Sequence, residues 1–137
     1  MFSDYALRML MYAAGCNRRF TIAEVATAYG VSRAHMMKVA NVLTRTGYLK
    51  SVRGRSGGLL LAKPLNKINL RELMQTTEPD FALVECFSCD NRCPITRSCK
   101  LRLALAEALD AFTAALGRYT LADLALAPAE VRRLNRR

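Results

Sequence analysis

Apolar side chains recur at helical spacing through residues 3–14, from Ser3 to Ala14. Ser3 or Asp4 is placed to cap a first helix there, and Gly15 to stop it. Thr21-Ile-Ala-Glu24 has the spacing of a capping box and opens a second, short helix that ends at Tyr29-Gly30. Ser32 caps a third helix running to about Thr46, and Gly47 supplies a left-handed stop. A short helix, a Gly-containing turn and a longer helix form a helix-turn-helix pattern. Tyr48–Val52 then reads as a strand, Arg53-Gly-Arg-Ser-Gly-Gly58 as a turn and Leu59–Ala62 as the return strand, closed by Pro64. A helix-turn-helix followed at once by a hairpin predicts a winged helix.

Asn69-Leu-Arg-Glu72 opens another short helix over 70–77, ended by Glu78-Pro79-Asp80. Beyond Cys99 the pattern is strongly helical. Leu101, Leu105, Leu109, Phe112 and Leu116 recur at spacings of four, four, three and four, a coiled-coil-like seam. Such a seam covers either the domain's own core or a second copy, and a two-fold DNA reader favours the second copy. Thr120-Leu-Ala-Asp123 caps a last short helix, and Val131–Arg137 is a basic tail expected to fray. The expected fold is mainly α with a small β-hairpin: a winged helix-turn-helix domain over 1–78, a cysteine loop over 79–99, a dimerisation helix and C-terminal helix over 100–126, and a basic tail over 127–137.

Charge narrows the partner. The 137 residues, enough for one compact domain or a small domain with an appended helix, carry 21 Lys+Arg against 11 Asp+Glu, a net of +10. Residues 1–58 hold nine basic side chains and only Asp4 and Glu24 as acids, so nine minus two places +7 there. Localised positive charge calls for a phosphate-bearing or anionic partner. The third helix carries Arg33, His35, Lys38, Asn41 and Arg45, and the hairpin loop is built of Arg and Gly. Ser32, Arg33, His35, Met36 and Lys38 are therefore candidate contacts in the major groove or on flanking phosphates. Arg53 and Arg55 are candidates at the wing, where Gly54, Gly57 and Gly58 let the backbone approach a phosphate or the minor groove.

Other classes fit poorly. No Walker Lys-Ser/Thr follows the glycines, and the one histidine sits on the third helix without a Ser/His/Asp or metal-hydrolase pattern, so an enzyme is not expected. No stretch of 18 apolar residues and no signal peptide is visible, which points to a soluble, cytoplasmic chain.

Four of the five cysteines, Cys86, Cys89, Cys93 and Cys99, fall within 14 residues, with gaps of two, three and five. Thiols so close pair as disulfides or hold a metal, and a reducing cytosol favours the metal. Zinc, an iron–sulfur cluster and a thiol switch all remain open on spacing alone, although zinc sites usually separate two cysteine pairs by a long spacer. Cys16 stands alone and is expected to be a small buried hydrophobe.

Several of these stretches resemble one family. Phe2-Ser-Asp-Tyr-Ala-Leu-Arg8, Gly30-Val-Ser-Arg-Ala-His-Met36, the wing Arg53–Gly58, Leu83-Val-Glu-Cys-Phe87 with Cys93-Pro-Ile-Thr-Arg-Ser-Cys99, and Tyr119-Thr-Leu-Ala-Asp-Leu124 together look like the IscR/NsrR family of winged-helix regulators, over roughly residues 2–126. The resemblance is nearest to its nitric-oxide-sensing repressor branch, NsrR. It implies a homodimer on an operator DNA, with crossed long helices. It also implies an iron–sulfur cluster held by Cys86, Cys93 and Cys99, of the 4Fe–4S type, with Asp4 of the other subunit as candidate fourth ligand. The 2Fe–2S type is the alternative, but the IscR branch uses a histidine just after the third cysteine, and here Lys100, Leu101, Arg102 and Leu103 follow Cys99. Cys89 departs from the family pattern, which does not require it, and is the rival fourth ligand.

Overall fold

The computed structural model describes residues 2–78 and 84–136. Helices α1 (Phe2–Cys16), α2 (Ile22–Tyr29) and α3 (Arg33–Arg45) are followed by strands β1 (Leu49–Val52) and β2 (Gly58–Leu61). After a 3-10 turn at Leu65–Lys67 come α4 (Leu70–Thr77), a second 3-10 turn at Glu85–Phe87, the long α5 (Lys100–Leu116), α6 (Leu121–Leu124) and α7 (Pro128–Leu134).

The expected caps of α2 and α3 form, whereas Ser3 and Asp4, expected to cap α1, lie inside that helix. The Glu24 backbone N–H donates to Thr21 Oγ1 at 3.2 Å, and Glu24 Oε2 accepts from the Thr21 N–H at 2.6 Å. Gly30 closes α2 at φ 63°, and Ser32 Oγ accepts from the His35 N–H at 3.2 Å to open α3. β1 and β2 pair antiparallel, Leu49 opposite Leu61 and Val52 opposite Gly58. Phe20 adds a bridge on the outer edge, donating to the Leu59 carbonyl at 3.1 Å and accepting from the Leu59 N–H at 2.8 Å.

One core serves all of these elements. Met9, Leu10 and Tyr12 from α1, Val25 from α2, Met36, Val39 and Leu43 from α3, Leu49 from β1 and Leu73 from α4 are buried together.

Two expectations are corrected. Gly15 does not stop α1; the helix runs on to Cys16, and the left-handed residue is Asn17 at φ 47°. A Cβ on Gly15 would lie 2.5 Å from the Leu126 carbonyl oxygen and 2.7 Å from Val131 Cγ2. The glycine is there because the C-terminal segment crosses α1 at close range. The second correction is the C-terminal segment itself. It is not a frayed tail but helix α7, whose Val131 is only 4% exposed and whose neighbour Asn135 accepts a 2.9 Å hydrogen bond from the Tyr12 hydroxyl. A buried apolar side chain and a long-range polar bond outweigh the repulsion of its arginines. Cys16, expected to be buried, is only half-buried, at the end of α1 where it packs against the edge of the core.

Helix α5 is built differently. None of its residues is buried, and Leu101 and Leu103 are 65% and 68% exposed. Its C-terminal end is fastened to the body: Asn69 Nδ2 donates to the Gly117 carbonyl at 2.8 Å, and the Leu70 N–H to the Tyr119 carbonyl at 3.2 Å. No helix among the described residues is long and apolar enough to cross a membrane.

Candidate nucleic-acid interface and cysteine loop

Each residue of α3 turns the helix by about 100°, and this decides which candidates face outward. Ser32, Arg33, Lys38, Asn41 and Arg45 are exposed. Arg33, Met37, Asn41 and Arg45 follow one another at four-residue steps and form a single outward row. Met36 lies on the opposite side and is completely buried, so its assignment as a DNA contact is corrected: it is a core residue. His35 is half-buried and also turns inward. Its ring packs edge-on against Tyr5 at 4.4 Å and lies 6.4 Å from Phe2, and its Nε2 is buried without a hydrogen-bond partner among the described residues. In this arrangement His35 couples α3 to the first turn of α1 rather than offering its ring to a base. Met37, overlooked by sequence reasoning, is 48% exposed in the centre of the row. Its place one turn after Arg33 was the available signal.

The wing carries Arg53, Gly54 and Arg55 fully outward. Gly54 takes φ 108°, which favours glycine, and its carbonyl accepts from the Gly57 N–H at 2.9 Å. Gly57 and Gly58 are glycines for internal reasons. A Cβ on Gly57 would lie 2.6 Å from the Val52 carbonyl oxygen, and one on Gly58 2.7 Å from that of Phe20. Arg19 reaches Ser56 Oγ at 3.5 Å, at the edge of hydrogen-bond range, beside the wing. A cleft of about 320 Å³ lined by Thr21, Ile22, Arg33, Gly57 and Gly58 joins the wing to the start of α2 and α3. No carboxylate occurs between Glu24 and Glu72, a span that includes Arg33, Lys38, Arg45, Lys50, Arg53 and Arg55. Glu24 itself is neutralised: burial would raise its carboxyl, but Arg18 at 2.7 Å and the Thr21 N–H hold it below the usual range. The surface over α3 and the wing is therefore uniformly cationic.

The cysteine loop begins beyond α4. Its root is tied to the first turn of α1: the Ser3 N–H donates to Glu78 Oε1 at 3.1 Å, and the Ser3 and Thr77 hydroxyls bond at 2.7 Å in a buried setting. Residues 79–83, which include Leu83 of the family motif, lie outside the described residues. From Glu85 the loop is held by its own polar bonds. Glu85 Oε1 accepts from the Arg92 N–H at 3.0 Å, and Ser88 Oγ donates to the Glu85 carbonyl at 2.8 Å. Asn91 Oδ1 accepts from the Cys93 N–H at 3.0 Å, while Thr96 Oγ1 donates to the Cys93 carbonyl at 2.7 Å.

All four loop thiols are free. Cys86, Cys93 and Cys99 are half-buried, and Cys89 is exposed at the tip of the Glu85–Arg92 turn. Among the described residues no three His, Cys, Asp or Glu side chains converge as a metal chelate, so the expected set of Cys86, Cys93 and Cys99 is not gathered within this chain. The internal bonds of the loop hold its backbone instead. Asp4 is likewise engaged: its carboxylate accepts from Arg8 Nε at 3.1 Å and Nη2 at 2.9 Å. The donor chemistry nonetheless suits an iron–sulfur group, because three sheltered, unpaired cysteines in one loop supply its usual thiolate ligands.

A helix-turn-helix, a two-stranded wing and a carboxylate-free cationic face define a winged-helix DNA-binding protein. The comparisons agree. Residues 2–127 match the Rrf2 family, described as iron-dependent transcriptional regulators. The chain belongs to the Rrf2 family and is a DNA-binding transcriptional regulator, not an enzyme. Similar solved structures include IscR of T. potens, at 19% identity and TM-score 0.70, covering 90% of this chain and 82% of that one. CymR of B. subtilis, titled the global cysteine regulator, matches at 22% identity and TM-score 0.68, over 91% of this chain and 93% of that one. CymR of Staphylococcus aureus matches at 20% identity and TM-score 0.67, over 88% of this chain and 91% of that one. At these identities the structural likeness establishes the fold.

Proposed function

We propose that this Rrf2-family regulator is a cytoplasmic, homodimeric repressor of the NsrR kind, whose operator binding is set by an iron–sulfur cluster sensitive to nitric oxide. The observation that carries this reading is the loop from Cys86 to Cys99, with three sheltered free thiols and none of the alternative ligands that follow Cys99 in the IscR branch. Cys86, Cys93 and Cys99 would hold the cluster, of the 4Fe–4S type, with Asp4 of the partner subunit or Cys89 completing it. When bound, the group supplies an iron with a hard or open fourth position, which is the iron most readily attacked by a diatomic.

The remaining steps belong to the chain. Ser3 bonds to Thr77 and Glu78 at the root of the loop, and Tyr5, two residues on, packs against His35 in the first turn of α3. A shift of the loop root therefore reaches the recognition helix through one turn of α1. The exposed Leu101 and Leu103 at the start of α5 support a second copy as their cover. In such a dimer two recognition helices must lie about 34 Å apart on the duplex, so a small rotation of each removes specific binding.

Anaerobic purification with iron and sulfide analysis, followed by nitric oxide titration, tests the reading. The visible absorption of the cluster and operator binding are expected to fall together. Purified protein that carries zinc, or no metal, would contradict it. A second reading is favoured by the absence of a gathered chelate and by the likeness to CymR: the loop acts through its thiols alone. That reading predicts operator affinity controlled by thiol oxidation in metal-free protein.

A further inference from the structure

Among the described residues, the exposed large hydrophobic side chains are Met37, Ile95, Leu101, Leu103, Phe112 and Tyr119. All but Met37 lie in or after the cysteine loop. Met37 alone breaks the surface of the DNA-binding body, and it does so between Arg33 and Asn41 on the outward row of α3. A single exposed methionine on a protein surface is ordinary. This one stands in the middle of a surface without a carboxylate from Val25 to Arg71, and Arg33, Lys38 and Arg45 around it form no ion pair among the described residues. Whatever covers it must be polyanionic and must still offer an apolar group.

Duplex DNA meets both conditions at one point. The thymine C5-methyl is the apolar group on the base edges of the major groove. Arg33 and Asn41 sit one turn away on either side, about 6 Å along the helix axis, and their side-chain types are those that hydrogen-bond guanine and adenine edges. We propose that Met37 reads a thymine methyl in each half-site. The inference rests on the DNA-binding role of α3 and adds to it the chemistry of one base position. An unbranched thioether side chain can follow the methyl over a range of depths in the groove, which suits the task.

The test begins with the full chain, prepared anaerobically, selecting duplexes from a random-sequence pool. Thymines of the selected duplex are then replaced one at a time by deoxyuridine, which removes the methyl and nothing else. One thymine per half-site is expected to lose about threefold to fivefold in affinity on replacement, the value of one buried methyl-sized group. Met37→Ala should bind the thymine and deoxyuridine duplexes equally, while keeping the wild-type melting temperature because the side chain is exposed. Met37→Leu should restore part of the discrimination. The proposal is overturned if no deoxyuridine weakens the wild type, or if Met37→Ala remains equally sensitive at the same base. Failure to enrich any duplex would overturn the DNA-binding role of α3 as well, and is distinct from enrichment without methyl sensitivity.

Discussion

The body formed by α1–α4 and the wing has a finished core, whereas the loop from Glu85 and helix α5 have none of their own. Met9, Leu10, Met36, Val39 and Leu43 are essentially inaccessible to solvent, but no residue of α5 is buried. The loop is held by local polar bonds around Glu85, Asn91 and Thr96, all in exposed or half-exposed settings. Such bonds add little net stability each, about 1 kcal/mol or less. The contrast teaches where regulation can reside. A segment stabilised by packing resists small perturbations, and one held by a few exposed bonds can change arrangement when its thiols gain or lose a ligand.

The largest effect should fall in the body. Met36→Ala is expected to cost about 2–5 kcal/mol by opening a cavity, read as a drop in denaturation midpoint. Leu103→Ala should leave that midpoint within about 0.5 kcal/mol when measured on dilute protein, yet weaken self-association in sedimentation. Equal losses from both would break the contrast. Gly15→Ala comes next. The added Cβ meets the Leu126 carbonyl and Val131, and overpacking of this kind costs about 1–3 kcal/mol. An unchanged midpoint would mean that α7 is not docked on α1 in solution.

Operator affinity gives effects of similar or smaller size. Arg33→Ala should cost about 1–3 kcal/mol and relax specificity at one base position, while Lys38→Ala should weaken all sequences alike. If Arg53→Ala and Arg55→Ala leave binding unchanged, the wing does not touch DNA. In the loop, Cys86→Ser, Cys93→Ser and Cys99→Ser should each abolish cluster retention while the melting point of the metal-free protein stays put. Cys89→Ser should retain the cluster, and its loss there would make Cys89 the fourth ligand.

The smallest effect concerns the caps. Glu24 and Asp123 are held below their ordinary values: Glu24 by Arg18 and Thr21 against its burial, Asp123 by the Thr120 N–H and hydroxyl. A depressed carboxyl contributes stability that is present above its unfolded value and disappears as pH falls through the folded one. Stability should therefore decline as the medium is acidified below the ordinary carboxylate range near 4.5 for Glu24. Thr21→Val and Glu24→Gln should each flatten that decline in an acid titration followed by circular dichroism.

Much of the body was legible in the amino-acid order because its signals are local. Thr21 with Glu24, Ser32, Gly30 and Gly47 announce the helix-turn-helix through rules that act within one turn. The wing was visible for the same reason. What escaped depends on distant neighbours. Gly15 resembled a helix stop because its partner, the Leu126–Val131 segment, lies more than a hundred residues away in sequence. Helix α7 resembled a frayed tail because nothing within Val131–Arg137 shows that Val131 and Asn135 reach Tyr12 and the core. Met36 was read as a contact and Met37 overlooked because a single helical step of rotation separates the core from the groove, and residue type cannot mark that difference. The cysteine spacing named the chemistry of the loop, but a loop without a core gives no periodic pattern from which to place its thiols.

The central claim is that the state of the Cys86–Cys99 loop controls how α3 meets DNA. The most direct measurement is operator affinity of the same preparation with and without its cluster, at one fixed salt concentration so that counterion release is constant. The account predicts that the metal-free form binds at least about tenfold more weakly, a difference of roughly 1.4 kcal/mol, and that Tyr5→Ala narrows the gap. Equal affinity of the two forms for the same duplex would contradict it.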